Sequence, residues 1–158
     1  MKKILLIMMA MFAIGLQNVN AQDKPIKIVT GHPDFSLKIT RCVASGKNVV
    51  LDMVVTNLSD NDVECFKVHG SSYATKVYDD QGNIYDSDID VKIANKQYTT
   101  GAIEIKLVAG IPTKYSLMIA NVSQKAQYLV LVEPDIYVPA WKTVNSTVKI
   151  RNVPITRE

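Results

Sequence analysis

Short runs of β-branched and aromatic residues, separated by turn-forming clusters, recur along this chain and restrict it to an all-β fold. No stretch keeps a helical period for three turns. The run from Phe35 to Thr40 alternates apolar and polar residues, which indicates a strand with one solvated face. NVVLDMVVTN and AQYLVLVE are nearly continuous in apolar residues, so we predict that both are central strands.

The number and spacing of these runs predict an immunoglobulin-like antiparallel β-sandwich of about 7–9 strands. A small closed barrel is the alternative, because edge closure cannot be read from one sequence. Residues 148–151 of the last run place their charged side chains on one face. That pattern is compatible with a blunted edge strand.

The first 21 residues predict a secretory signal peptide. A basic start at residues 1–3 precedes an apolar run from Ile4 to Ile14, and Val19-Asn20-Ala21 suits a cleavage site. A membrane anchor is the alternative, but the eleven residues of that run span about 16 Å, roughly half a hydrocarbon core. We therefore expect a mature chain that begins at Gln22, is exported to the periplasm or outside the cell, and does not insert into a membrane.

The size and charge of the mature chain limit what it can do. It keeps 137 of the 158 residues, enough for one core and too few for two ordinary domains. We divide it into an N-terminal segment, 22–34, and a single sandwich domain, 35–158. It carries 16 basic and 15 acidic groups. This near balance argues against nucleic acid as a partner, because binding to phosphates needs a concentrated basic face.

Residues 77–90, VYDDQGNIYDSDID, contain five aspartates and are either a metal site or a turn. Asp79-Asp80-Gln81-Gly82 fits a type I turn in a three-residue hairpin loop, with its glycine at positive φ. Asp86, Asp88 and Asp90 have the alternation of a calcium loop. However, Val91 stands where that loop requires glycine. We predict a hairpin followed by a solvated loop, keep the three later aspartates as candidate cation ligands, and expect no cofactor.

Four segments together resemble the secreted bacterial immunoglobulin-like domains of unknown function that are described as telomeric-repeat-binding-factor-like. These segments are TNLSDNDV, KVYDDQGNIY, LVAGIPTKYSLMIANVS and AQYLVLVE. The resemblance covers residues 35–150. It implies an immunoglobulin-like fold and an extracellular or periplasmic location, and it supplies no catalytic residues.

The two cysteines, Cys42 and Cys65, could form a disulfide in an exported protein. Consecutive hairpins would instead place Cys42 opposite about residue 49 and Cys65 opposite about residue 54, roughly 16 Å apart along the sheet. Bridged Cα atoms lie within about 7 Å of each other. We therefore expect two buried free thiols, although a bulge or a strand that changes sheets could restore the bond.

Trp141 and Tyr137 are the candidate binding residues. Both lie in a proline-flanked stretch before the last strand, where they could form an apolar contact surface for protein or sugar. Alternatively, Trp141 closes the open end of the sandwich as a plug. We favour the plug, because a tryptophan near two prolines often seals a loop against the core.

Catalysis has few candidate residues. His32 lies in a loop and His69 begins HGSSY at 69–73, but neither histidine lies in a nucleophile motif. We therefore expect a monomeric, secreted, non-enzymatic binding or accessory module that recognises protein or carbohydrate. The alternative is a structural or assembly component of a cell-envelope complex that pairs through an exposed strand edge. An enzyme of unknown type is the third possibility.

Overall fold

The computed structural model describes residues 24–70, 75–98, 101–141 and 148–157. All regular secondary structure in these ranges is β-strand. Nine strands have four or more residues, and five further segments have two or three. The predicted fold class is confirmed: the chain is an all-β, immunoglobulin-like sandwich.

The strands are numbered in chain order. They are β1 Lys27–Val29, β2 Phe35–Ser45, β3 Asn48–Asn57, β4 Val63–His69, β5 Lys76–Asp79, β6 Ile84–Tyr85, β7 Ile89–Ile93, β8 Lys96–Tyr98, β9 Ala102–Leu107, β10 Thr113–Ile119, β11 Tyr128–Glu133, β12 Asp135–Tyr137, β13 Lys149–Pro154 and β14 Thr156–Arg157.

These strands form three sheets. A five-stranded sheet has the order β1-β13-β11-β5-β6, and a six-stranded sheet has the order β14-β2-β3-β10-β7-β8. A three-stranded sheet has the order β12-β4-β9. Among the described strands only β14 and β2 pair in parallel.

The core is aliphatic and is built by strands that alternate between inside and outside. In β3, Leu51, Met53 and Val55 are at most 1% exposed, whereas Asp52 and Val54 between them face outward. β3 lies between β2 and β10, and β11 lies between β13 and β5. Both strands are therefore central, as their continuous apolar runs predicted.

The last long strand is not an edge. Val148 and Ile150 point inward as expected, but β13 is flanked by β1 on one side and β11 on the other. Its outward charges therefore do not protect an open edge, and they do not distinguish a free module from an edge-pairing component. The pairing of Lys27–Val29 with β13 also means that the sheet begins before residue 35, the predicted start of the domain.

The predicted hairpin between β3 and β4 is wrong, because the two strands lie in different sheets. Asn57 at the end of β3 is fully buried. Its side-chain amide donates to the carbonyl of Asn61 at 2.7 Å, and its oxygen accepts from the main-chain N–H of Ser59 at 3.1 Å. This buried amide fixes the segment after β3, and the chain crosses to the three-stranded sheet instead of turning back.

Both cysteines are free, but not for the predicted reason. Cys42 is buried on β2 opposite Leu51, two residues from the expected register. Cys65 is half-buried on β4, in the three-stranded sheet, so the prediction that both thiols are buried is wrong for Cys65. The two thiols are therefore separated because they lie in different sheets. The predicted separation was instead along one continuous sheet.

Candidate functional site

The turn in the acidic stretch is organised by a buried carboxylate. Asp79 is 2% exposed, and its Oδ1 accepts hydrogen bonds from the main-chain N–H groups of Gln81 and Asn83, both at 2.9 Å. Its Oδ2 accepts from the Asn83 amide at 2.9 Å and from the Tyr85 hydroxyl at 2.7 Å. Burial raises the pKa of Asp79, but the hydrogen bonds outweigh burial and hold this pKa below its usual value. The predicted three-residue hairpin loop is confirmed, with Gly82 at φ 84°, whereas Asp79 itself is not solvated.

The candidate cation ligands follow this hairpin on an open surface. Asp86 and Asp88 are exposed, and Asp90 is half-buried on β7. The main-chain carbonyl of Asp88 accepts a hydrogen bond from Ala120 at 3.2 Å. The described residues contain no group of three or more acidic, histidine or cysteine side chains that could hold a metal ion.

Trp141 and Tyr137 do not form a common contact surface. Trp141 is 6% exposed, because its ring stacks on His32 at a centroid distance of 5.0 Å and also contacts Phe35 at 5.7 Å. Tyr137 on β12 is 39% exposed. The tryptophan therefore closes the sandwich as a plug, and Tyr137 alone remains at the surface.

His69 at the end of β4 takes part in polar contacts that connect β4 to β12. Its Nδ1 is 3.0 Å from Oδ2 of Asp135 on β12. The hydroxyl of Thr75 donates to the His69 carbonyl at 2.7 Å and accepts from the Asp135 N–H at 2.9 Å. Nearby, burial and the charge of Asp135 raise the pKa of Tyr115, whose hydroxyl has no hydrogen-bond partner among the residues that the structure describes. The serines of HGSSY lie outside the described residues.

The outer face of the six-stranded sheet carries the best-developed binding geometry. Asp52 on β3 lies between Arg41 on β2 and Ser116 on β10, and is opposite both. Ser116 is in turn opposite Lys92 on β7. A β-bulge between Ile39 and Arg41 sets this alignment, because the extra residue brings Arg41 opposite Asp52. Four polar side chains that are distant in sequence thus form one row across the sheet.

Asp52 orients the arginine in this row. Its Oδ2 accepts from Arg41 Nε at 2.8 Å, and its Oδ1 accepts from the Ser116 hydroxyl at 2.7 Å. Among the described residues, the terminal amino groups of Arg41 have no hydrogen-bond partner on this face. Arg41 is 58% exposed, so these two donors face solvent in a fixed direction. An arginine fork of this kind matches a carboxylate, sulfate or phosphate group.

Two further cations surround the row. Lys92 and Lys114 are exposed, and neither forms an ion pair with a residue that the structure describes. Ser116 on β10 is opposite Lys92, and Lys114 lies two residues before Ser116 on the same strand. The two lysines are therefore diagonal neighbours, with Cα atoms about 7–8 Å apart. The side chains border a groove of about 650 Å³. Its lining residues are Thr40, Arg41, Asp52, Met53, Val54, Lys92, Ala94, Lys114 and Ser116.

The chemistry of this groove favours anions. Three cations line it, and its single carboxylate is already neutralised by Arg41. None of its lining residues is aromatic. One signal of the site is present in the sequence, because a lone acid within VVLDMVV requires a partner. The identity of that partner depends on the bulge and on the strand order, neither of which the sequence specifies.

Comparisons with known proteins add little to this geometry. No family model matches the chain, so the resemblance to telomeric-repeat-binding-factor-like domains stays a prediction. No curated protein matches it either. Among solved structures, the chain is similar to the CooA pilin subunit of enterotoxigenic Escherichia coli at a TM-score of 0.35 and 11% identity, over 77% of this chain and 97% of the pilin. A likeness of this size carries no functional argument.

The structure also bears on membrane insertion. No helix in the described part of the chain is long and apolar enough to cross a membrane. The predicted signal peptide, residues 1–21, lies outside the described residues.

Proposed function

We propose that this protein is an exported, non-enzymatic binding module that holds an anionic protein or carbohydrate against the outer face of its six-stranded sheet. The observation that carries the proposal is the arginine fork: Arg41 is oriented by Asp52, and its terminal donors face an open groove beside Lys92 and Lys114. A structural salt bridge needs no such groove, and it needs no neighbouring lysines without an ion-pair partner among the described residues.

The size and openness of the groove suit a ligand that lies across the surface. Its volume of about 650 Å³ is within the range of ligand sites, but the floor is formed by strands rather than by an enclosed pocket. Binding through several exposed cations depends on ionic strength, because the charges are screened within about 8–10 Å at physiological salt. We therefore expect moderate affinity that falls as salt is added.

Titration with polyanions tests the proposal. Poly-L-glutamate and oligogalacturonate are the anionic probes, and dextran is the neutral probe. Both anionic probes should bind in low salt and dextran should not. The double variant Lys92→Gln/Lys114→Gln should lose about tenfold in affinity, since each exposed cation contributes up to about 1 kcal/mol.

A matched control has the same net charge. Lys76 on β5 and Lys125 in a loop are exposed and lie off the groove. The double variant Lys76→Gln/Lys125→Gln should bind like the wild type. Equal losses in the two double variants would show that only net charge matters, and failure of every anionic probe to bind would contradict the proposed function.

A further inference from the structure

We infer that the natural ligand of this face is an extended protein segment that combines acidic and apolar side chains, and not an acidic polysaccharide. The inference rests on the proposed function and narrows its ligand class. It comes from a second, apolar surface next to the cationic row.

The apolar surface is the adjacent row on the same side of the sheet. Val50 lies two residues before Asp52 on β3, and Met118 lies two residues after Ser116 on β10. Met118 pairs with Val50, which in turn pairs with Val43 on β2. On its other side Met118 pairs with Asp90 on β7, where the apolar part of the row ends. All three apolar residues are half-buried and face outward. Because a strand rises about 3.3 Å per residue, this row lies about 6.6 Å from the cationic row.

A shallow depression of about 360 Å³ follows this apolar row. It is lined by Asn48, Val49, Val50, Asp88, Asp90, Met118, Ile119 and Ala120. Met118 lies beside the Gln97 amide, with Nε2 and Sδ 3.9 Å apart. An unbranched thioether adapts to different apolar partners, so this row suits side chains of several shapes.

A polysaccharide matches only half of this surface. Its carboxylates would suit Arg41, but the hydroxyl groups that lie against Val50 and Met118 would lose their hydrogen bonds, and only those at the far side of the depression would reach Asp88 and Asp90. Sugar rings are commonly held by stacking on aromatic side chains. Neither the groove nor the depression has an aromatic residue in its lining.

An extended protein segment matches both halves. Its side chains at positions i and i+2 are about 6.6 Å apart on one side of the chain, the same spacing as the two rows. A glutamate or aspartate would bind the Arg41 fork, while the apolar residue two positions away would cover Val50 and Met118. The segment would lie along the strand direction, with Lys92 and Lys114 available to further acids.

Three probes of similar charge test this inference by isothermal titration calorimetry. The first is a peptide that repeats Glu-Ser-Leu-Ser, the second replaces each leucine by serine, and the third is oligogalacturonate with the same number of carboxylates. The leucine peptide should bind about tenfold more tightly than either of the others, the factor expected when about 60 Å² of apolar surface leaves water.

Two single variants locate the effect. Met118→Gln should remove most of the tenfold preference for the leucine peptide over the serine peptide. The control is Ile84→Gln, since Ile84 is 58% exposed on β6 of the five-stranded sheet. That variant should keep the preference.

Each other outcome has a distinct meaning. Oligogalacturonate that binds as tightly as the leucine peptide would overturn the protein ligand and leave the proposed function intact. A preference for the leucine peptide that survives Met118→Gln would overturn the assigned surface. A loss of that preference in Ile84→Gln as large as the loss in Met118→Gln would overturn it as well. Absence of binding by all three probes would remove the proposed function together with the inference.

Discussion

The substitution Asp79→Asn should destabilise the protein more than any other single change in the acidic stretch. The buried carboxylate accepts hydrogen bonds from two main-chain N–H groups, from the Asn83 amide and from the Tyr85 hydroxyl. An asparagine keeps one acceptor oxygen but turns an NH₂ group toward the donors of Asn83 and Tyr85. Each hydrogen bond to a charged group contributes about 1.5–3 kcal/mol, and two of the four are disrupted. Allowing for relaxation of the exposed loop, we expect a loss of about 3 kcal/mol, or about 10 °C in Tm.

The effect should depend on pH in a defined direction. Burial alone would raise the pKa of Asp79, but the hydrogen bonds lower it below its unfolded value, which is near 4. A group with a lowered pKa contributes its full stability above the unfolded pKa and loses that contribution as the pH falls through the folded one. The gap between wild type and Asp79→Asn should therefore be constant above about pH 5 and should shrink below about pH 4.

Thermal and urea unfolding, followed by circular dichroism between pH 3 and 8, would measure this gap. The neighbouring Asp80 is an exposed control, whose carboxylate accepts only from the N–H of Gln127 among the described residues. Asp80→Asn should cost less than about 1 kcal/mol. Equal losses in the two variants, or an Asp79→Asn protein that melts within about 2 °C of wild type, would refute the organising role of the buried carboxylate.

Three other predictions concern the acidic loop, the thiols and export. Millimolar calcium should change Tm by less than about 2 °C; a rise of about 5–10 °C that Asp88→Ala abolishes would instead establish a cation site. Burial raises the pKa of both thiols, that of Cys42 to about 12, but Cys42 is only 6% exposed whereas Cys65 is half-buried. Ellman's reagent should therefore detect Cys65 and not Cys42 in the native protein. Both thiols should react after denaturation, and detection of none would mean a disulfide. Mass spectrometry of the protein from its native host should find a chain that begins at Gln22, whereas an intact Met1 would contradict the signal peptide.

Local patterns were sufficient to predict much of the fold. The alternation in β2, the continuous apolar runs of β3 and β11, and the Asp79–Gly82 turn each depend on residues that are close in sequence. Long-range pairing was not predictable in the same way. The segment after β3 has the composition of a hairpin turn, yet the buried Asn57 directs the chain to another sheet. Similarly, the charges of β13 are compatible with an edge strand, yet β1 pairs with β13 and covers that edge. The three residues of β1 show no sequence pattern that predicts this pairing.

The candidate site was less predictable than the fold. The sequence pointed to Asp86, Asp88, Asp90, Tyr137 and Trp141, which are concentrated in two short stretches. The groove instead combines side chains from β2, β3, β7 and β10, and its alignment depends on a one-residue bulge. No sequence pattern places Arg41 opposite Asp52, because a shift of one residue would send either side chain to the core.

The most direct test of the binding face is a map of the residues that respond to a ligand. Poly-L-glutamate should be titrated into isotopically labelled protein at low salt while amide chemical shifts are recorded. The largest changes should occur at Arg41, Asp52, Lys92 and Ser116, and they should disappear in Arg41→Gln. Changes confined to the five-stranded sheet, or an unaltered spectrum, would contradict the assignment of the binding face.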